Sequence, residues 1–226
     1  MKLYMHPVSM TSRPVRLFVH EKGIPVDEEV VDLFTGAHHQ EPFASINPNR
    51  MVPVLEDGDF RLTESSAILK YLADKNGLPE YPKDLKRRAK VNEVMDWFNS
   101  NFYRDYAYGF IYPQVFPHHK RPTEEAHAET IKWGKANAES WLKVLNDYWI
   151  GPDRKFLAGD EITIADYFGI GLITLGEVVH CDFSKYPNVK RWMDNVKGAI
   201  GKWDEVNEVF YGLVESTKGQ ALEAIR

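Results

Sequence analysis

Three hydroxyl residues, Ser9, Thr11 and Ser12, stand between a short strand-like run and the first helical pattern of this 226-residue chain. Hydroxyls in that place commonly form the turn or cap the helix, and Thr11 or Ser12 is well placed to cap it. The position also permits chemistry. A hydroxyl beside the free amides of a helix start can donate a hydrogen bond to a bound anion or thiolate. A hydrolase-type serine nucleophile sits on a Gly-x-Ser-x-Gly elbow, and none surrounds these residues. Glu64-Ser65 heads a second helical pattern. Either Ser65 caps that helix with Glu64 favouring its positive end, or amides and hydroxyl hold a carboxylate while Glu64 accepts an ammonium. Arg50-Met51-Val52-Pro53 comes just before a hairpin signal. X–Pro bonds favour trans by only about 0.5–1 kcal/mol. A cis bond would turn the Val52 N–H and C=O outward, able to pair with an extended peptide; a trans proline would open an edge strand.

The eight histidines include two adjacent pairs, His38-His39 and His118-His119, whose members point apart on a helix or strand. No pair has the four-residue spacing of a helical zinc motif and no cysteine cluster helps, so no metal site is expected. His38 stays a candidate polar contact to a ligand. Farther along, Trp97, Phe98, Phe102, Tyr103, Tyr106, Tyr108, Phe110, Tyr112 and Phe116 form a dense aromatic run. Aromatics at helical spacing are ordinarily core. The density after Phe102 exceeds what one buried face can use, so part of it is expected to line an apolar pocket or a subunit interface. Arg104 within the run reads as a snorkelling surface residue, or else as a cation facing an anionic ligand. Thr163-Ile164-Ala165-Asp166 resembles a capping box with the shorter acid, a folding feature worth about 1 kcal/mol.

The elements that must position these residues change character near residue 76. Before it, strands are expected at Lys2 to Met5, Glu28 to Asp32, Val54 to Glu56 and Phe60 to Leu62, the last two flanking the Asp57-Gly58 hairpin signal. Helices are expected at Arg13 to Lys22, with Pro14 in its first turn and Gly23 as its stop, and at Ser65 to Lys75. Asn76 to Lys83 is rich in breakers and reads as a linker. Beyond it strand signals nearly vanish. Helical periodicity runs through Arg87 to Phe102, Thr123 to Trp149, Tyr167 to Leu175 and Tyr186 to Val196, with a loop expected around Pro113, Pro117 and Pro122. The organisation expected is an α/β domain over 1–76, a linker over 77–88 and an all-α domain over 89–226.

Composition bounds the function. With 28 basic and 33 acidic side chains, no basic stripe suggests a nucleic-acid partner. One cysteine, Cys181, excludes a disulfide framework and fits a reducing compartment. The N-terminus lacks the apolar run of a signal peptide, and no stretch approaches the ~18 apolar residues of a membrane helix. A soluble, cytoplasmic protein without a membrane partner is expected.

Taken in order, these segments resemble the glutathione transferases over nearly the whole chain. Gly58-Asp59-Phe60-Arg61-Leu62-Thr63-Glu64-Ser65-Ser66-Ala67-Ile68-Leu69 is close to the family's signature at the third strand and following helix. Ile46-Asn47-Pro48 with Val52-Pro53 matches the segment that carries the family's cis-proline. Leu157-Ala158-Gly159-Asp160 with Thr163 to Asp166 matches the capping box of the helical domain's central helix. His6-Pro7-Val8-Ser9-Met10-Thr11-Ser12-Arg13 is similar to the serine-type, theta-like or delta-like branches, where a serine lies four residues before an arginine. That selects Ser9. Ser12 stands where a cysteine is common and competes for the role, with Thr11 and Tyr4 behind it. Ser66 replaces the arginine of delta-like members.

The resemblance implies a thioredoxin-like first domain, an all-helical second domain and glutathione as co-substrate, with no metal. It implies that Glu64 and Ser65 hold the γ-glutamyl end, that Val52 before Pro53 pairs with the cysteinyl backbone, and that His38 meets the glycyl carboxylate. Arg50 or Met51 falls where relatives carry a basic residue. The electrophile pocket is expected from Tyr103, Arg104, Tyr106, Phe110 and Phe116 with the tail after Trp203. The implied activity is attack of a glutathione thiolate on a small hydrophobic electrophile, in a homodimer of a detoxifying enzyme. A theta-type glutathione-dependent dehalogenase and a non-catalytic glutathione-binding module are the rival readings.

Overall fold

A computed structural model describes all 226 residues. Strand β1 (Lys2–Met5) runs through the middle of a four-stranded sheet ordered β2-β1-β3-β4, with β2 at Asp27–Val30, β3 at Val54–Asp57 and β4 at Phe60–Leu62. β1 pairs parallel with β2 and antiparallel with β3, and β3 turns antiparallel into β4 through Gly58. The parallel pair needs a crossover, supplied by helix α1 (Ser12–Glu21). A short helix α2 (Phe43–Ile46) precedes β3, and α3 (Ser65–Lys75) follows β4. The Leu3–Leu55 pair in register is fully buried beneath α1 and α3. The sheet's other face keeps a small separate core of Tyr4, Val31, Phe43, Val52 and Val54.

The remainder is helical: α4 (Leu85–Trp97), α5 (Tyr112–Val115), α6 (Glu124–Val144), α7 (Ile164–Ile173), α8 (Pro187–Ala199) and α9 (Trp203–Ser216). Asp84 caps α4 by accepting from the Arg87 amide at 2.9 Å, so the last residues of the expected linker are already helical. The break expected after Phe102 is absent: wide π-type turns at Phe98–Phe102 and Arg104–Ile111 carry the chain onward into α5. Pro113 falls in the first turn of α5, where the fixed φ of proline suits a helical start. The chain leaves helix only at Phe116, before a 3-10 turn at Pro117–His119. Gly134 on α6 lets that segment approach closely, since a Cβ there would lie 2.2 Å from the Gly109 backbone. α7 is buried along its whole length, and one continuous core joins it to α1, α3 and the surrounding helices. α9 has no counterpart among the expected helices. Its buried face is Trp203, Val206, Asn207 and Phe210, and the asparagine interrupts the apolar pattern. No helix is long and apolar enough to cross a membrane.

Candidate functional site

β1 ends at Met5 and the chain turns through His6 to Thr11 before entering α1. Ser9 holds that turn. Its carbonyl accepts from the Arg13 amide at 2.9 Å and its Oγ accepts from the Ser12 amide at 3.2 Å, so Ser9, rather than Thr11 or Ser12, makes the capping bonds. Thr11 Oγ1 lies 3.1 Å from Ser9 Oγ and donates to the Val52 carbonyl at 2.9 Å. Ser12 is fully buried, with its Oγ 3.4 Å from the His6 amide. Tyr4 turns to the other face of the sheet, where its hydroxyl donates to Glu56 at 3.0 Å.

Ser9, Thr11 and Val52 border a cavity of about 370 Å³, within the range of small-molecule sites. His38, His39, Asn49, Arg50 and Met51 continue its polar side, on loops of the sheet half. The helical half supplies an opposite wall of Tyr103, Tyr108, Tyr112, Val115 and Phe116, with Leu175, Val178 and Leu213 beneath it. His118 and His119 stand at its rim, and Phe34 closes the gap between halves, its ring 6.4 Å from that of Phe116. None of the 23 lining residues is Asp or Glu, although the chain carries a net charge of −5. An acidic protein with an acid-free cavity favours an anionic guest there.

Electrostatics follow from burial. His38 is held below the ordinary histidine value, first by burial and then by His39 and His118, and its Nδ1 is buried without a partner. Tyr103 and Tyr112 share a hydroxyl contact of 3.4 Å, and burial raises both phenols above their usual value, so neither supplies a phenolate. Cys181 lies apart from the cavity, its thiol pushed up to about 11 by burial. No three His, Cys, Asp or Glu side chains stand close enough together to hold a metal ion.

Of the residues singled out in the sequence, the structure gathers Ser9, His38, Arg50, Met51, Val52, Tyr103 and Phe116 around one cavity. It separates others. Tyr106 and Phe110 belong to the core, fully buried, with the Tyr106 hydroxyl donating to the Ile173 carbonyl at 2.8 Å. Arg104 points to solvent and pairs with Asp105 at 2.9 Å, away from the cavity. The physical reason is helical spacing. Phe98, Phe102, Tyr106 and Phe110 make one fully buried stripe, with Phe98 against Phe168 of α7 and Tyr106 bonded to its Ile173, whereas Tyr108, Tyr112 and Phe116 make another facing the cavity. The four-residue interval from 108 to 116 was the signal for Tyr108 and Tyr112; nothing local marked Phe34, Leu175, Val178 or Leu213.

Glu64 and Ser65 do not border this cavity; they lie at the head of α3, where no side-chain hydrogen bond caps the helix. Glu64 adopts φ +63° and Arg50 φ +56°, two of only three non-glycine residues with positive φ. Such backbones are sparsely populated and gather at functional sites. The Val52–Pro53 peptide is cis, as is Glu41–Pro42. Pro53 itself is buried and does not border the cavity.

Comparisons with known proteins agree with this layout. Residues 1–74 match the model of the glutathione S-transferase N-terminal domain, and residues 112–198 match that of the C-terminal domain. Human glutathione S-transferase theta-1 is 33% identical over 92% of this chain and 88% of its own length; human theta-2B is 31% identical over 98% and 91%. Among solved structures, human glutathione S-transferase T1-1 in its apo form superposes with TM-score 0.83 at 32% identity, covering 95% of this chain and 90% of its own. Human theta-2 in complex with glutathione and an unknown ligand gives 0.85 at 29% identity, over 100% and 93%. Two domain models in sequence, and relatives that align along nearly the whole chain, establish that the protein belongs to the glutathione S-transferase family.

Proposed function

We propose that the protein is a theta-like glutathione transferase that ionises the glutathione thiol at Ser9 and directs it at a hydrophobic electrophile seated on the Tyr108–Tyr112–Phe116 wall. The observation that carries this reading is the two-faced cavity: a hydroxyl at the head of α1 on one side, a stripe of aromatic rings on the other, and no carboxylate between them. Val52 pairs with the cysteinyl backbone, His38 with Arg50 meets the glycyl carboxylate, and Glu64 with Ser65 holds the γ-glutamyl end at the open head of α3. The ten-residue α1 is long enough to present a positive end. A detoxifying role, a homodimer and a cytoplasmic setting go with the same family reading.

The energetics are adequate. A free thiol ionises near pH 8.5, so only a few per cent is thiolate at neutrality. Lowering that by about two units requires roughly 2.7 kcal/mol of preference for the anion. A hydrogen bond to a charged group contributes about 1.5–3 kcal/mol and a helix start adds about 0.3–1 kcal/mol. The thiolate then attacks the electrophilic carbon, forming the C–S bond as the leaving group departs with its electron pair. Sharing one cavity supplies proximity.

Conjugation of an aryl halide, followed against pH with Ser9→Ala and Ser12→Ala beside the wild type, tests the reading. Ser9→Ala should shift the thiol ionisation midpoint upward and lower the rate below it by about tenfold or more, with glutathione binding retained. Loss confined to Ser12→Ala would transfer the role to that residue. Absence of glutathione binding in the wild type would remove the function altogether.

A further inference from the structure

The hydroxyls at the head of α1 can be followed proton by proton, because each owns a single hydrogen. The Val52 carbonyl has none to give, so its 2.9 Å contact with Thr11 Oγ1 commits the Thr11 proton. The Ser12 amide donates into Ser9 Oγ at 3.2 Å. Ser9 Oγ and Thr11 Oγ1 are 3.1 Å apart, and with the Thr11 proton already committed, Ser9 must be the donor of that pair. The Ser9 proton therefore points at Thr11.

We propose that Thr11 is a positioning residue that latches the Ser9 hydroxyl, so that a glutathione thiolate must draw the Ser9 proton away from Thr11 before it is stabilised. This rests on the assignment of Ser9 above. The latch does two things at once. It fixes Ser9 Oγ at the cavity edge, between the Ser12 amide and Thr11, and it sets the ionisation of the bound thiol higher than an unlatched serine would. A carbonyl oxygen has two lone pairs. Thr11 keeps its bond to Val52 when a peptide N–H takes the other pair, and the latch persists until the thiol ionises. An ionised sulfur then wins the proton, because hydrogen bonds to charged partners are about twice as strong as neutral ones.

The Thr11→Val variant removes the hydroxyl and keeps the branched shape; Thr11→Ala removes it with less demand on packing, and Thr11→Ser keeps it. The readout is the ionisation midpoint of bound glutathione, from the ultraviolet absorbance of the thiolate, together with the pH profile of kcat/KM. Both hydroxyl-free variants should lower the midpoint by about half a pH unit to one, the equivalent of one neutral hydrogen bond, while Thr11→Ser stays at the wild-type value. An unchanged midpoint in the hydroxyl-free variants overturns the latch. A raised midpoint overturns it too, since Thr11 would then be donating to Ser9. Ser9→Ala separates the two levels of inference: if it leaves the midpoint untouched, the assignment of Ser9 fails. If Ser9→Ala raises the midpoint while Thr11→Val does nothing, only the latch fails.

Discussion

Asp166 is the acid of the capping box at the head of α7, and its substitution offers a stability test whose size can be worked from geometry. Its Oδ1 accepts from the Leu157 amide at 2.8 Å and from Trp192 Nε1 at 2.9 Å. Its Oδ2 accepts from the Thr163 amide at 2.8 Å and from Thr163 Oγ1 at 3.0 Å. The side chain is fully buried; burial pushes the carboxyl above its ordinary value while the four donors pull it back. An asparagine of the same shape keeps the Oδ1 pair but turns an NH2 toward Thr163. The Thr163 hydroxyl can rotate to accept, whereas the Thr163 amide cannot. One buried donor is orphaned and three charge-assisted bonds become neutral, a loss of about 3 kcal/mol. At about 2–4 °C per kcal/mol for a chain of this size, Asp166→Asn should melt about 6–12 °C lower. Asp166→Ala orphans the Leu157, Thr163 and Trp192 donors and should lose on the order of 5 kcal/mol, a large part of the total stability of an ordinary domain. Urea unfolding with unchanged slope checks both values. An Asn variant within about 1 kcal/mol of wild type would show that the Asp166 charge and its Thr163 contacts carry little stability, as would Asn and Ala variants of equal stability.

The two aromatic stripes should separate cleanly: Phe116→Ala should raise the electrophile KM by about tenfold with little change in melting, while Phe110→Ala should lose about 3–5 kcal/mol of stability with KM unchanged. Cys181, with its thiol near 11, should be about a thousandth thiolate at pH 8 and resist iodoacetamide, then react readily once urea unfolds the chain. His6, His38 and His119 are each held below the ordinary histidine value, chiefly by burial. Their stabilising contribution is therefore complete above about pH 6.5 and falls away as pH drops through their folded values, so melting temperature should fall between pH 7 and pH 5 and His119→Phe should flatten part of that slope.

Local signals carried the four strands, α1 and the α3 boundaries, because those elements are punctuated by their own Pro, Gly or hairpin residues, whereas the single-turn α2 had no such signal. The helical half was legible only where one apolar stripe ran without interruption. Between Phe98 and Val115 a break was expected ahead of Pro113, yet the chain stays helical through wide turns into α5, and two aromatic stripes interleave in one run. α9 was hidden by Asn207, a buried polar residue whose partner, Arg13, lies 194 positions away in sequence. The capping box was visible as a local motif worth about 1 kcal/mol. Its larger weight comes from Leu157 and Trp192, which no local pattern joins to Asp166. The cavity lining followed the same rule: Ser9, His38 and Val52 announced themselves by position, whereas Leu175, Val178 and Leu213 depend on how helices pack.

That dependence reaches Ser9, the serine proposed to hold the thiolate, because the helical half sets the head of α1. Arg13 is fully buried there, donating to Asn207 Oδ1 at 2.6 Å and to Thr174 Oγ1 at 3.1 Å, with its guanidinium 3.5 Å from the centre of the Phe210 ring. Burial pulls it down to about 10, so it remains charged at neutral pH and stays tied to α7's end and α9. Next to it, Pro14 rests against Gly171 of α7. A Cβ on Gly171 would stand 2.4 Å from Pro14 Cγ and 3.0 Å from the Met10 carbonyl oxygen. Neither the proline ring nor a backbone carbonyl can swing aside, so relief must come from moving α1's head, and Met10 lies between Ser9 and Thr11. Gly171→Ala should lose about 1–3 kcal/mol of stability from overpacking. It should also lower kcat/KM at least tenfold, since displacements near 1 Å at a reacting group reduce rates by up to about a hundredfold. The glutathione contacts proposed for the head of α3 and for Val52 should suffer less, leaving the loss mainly in kcat. A Gly171→Ala protein with weakened stability and undiminished kcat would show that the Ser9 turn is held by the sheet half alone.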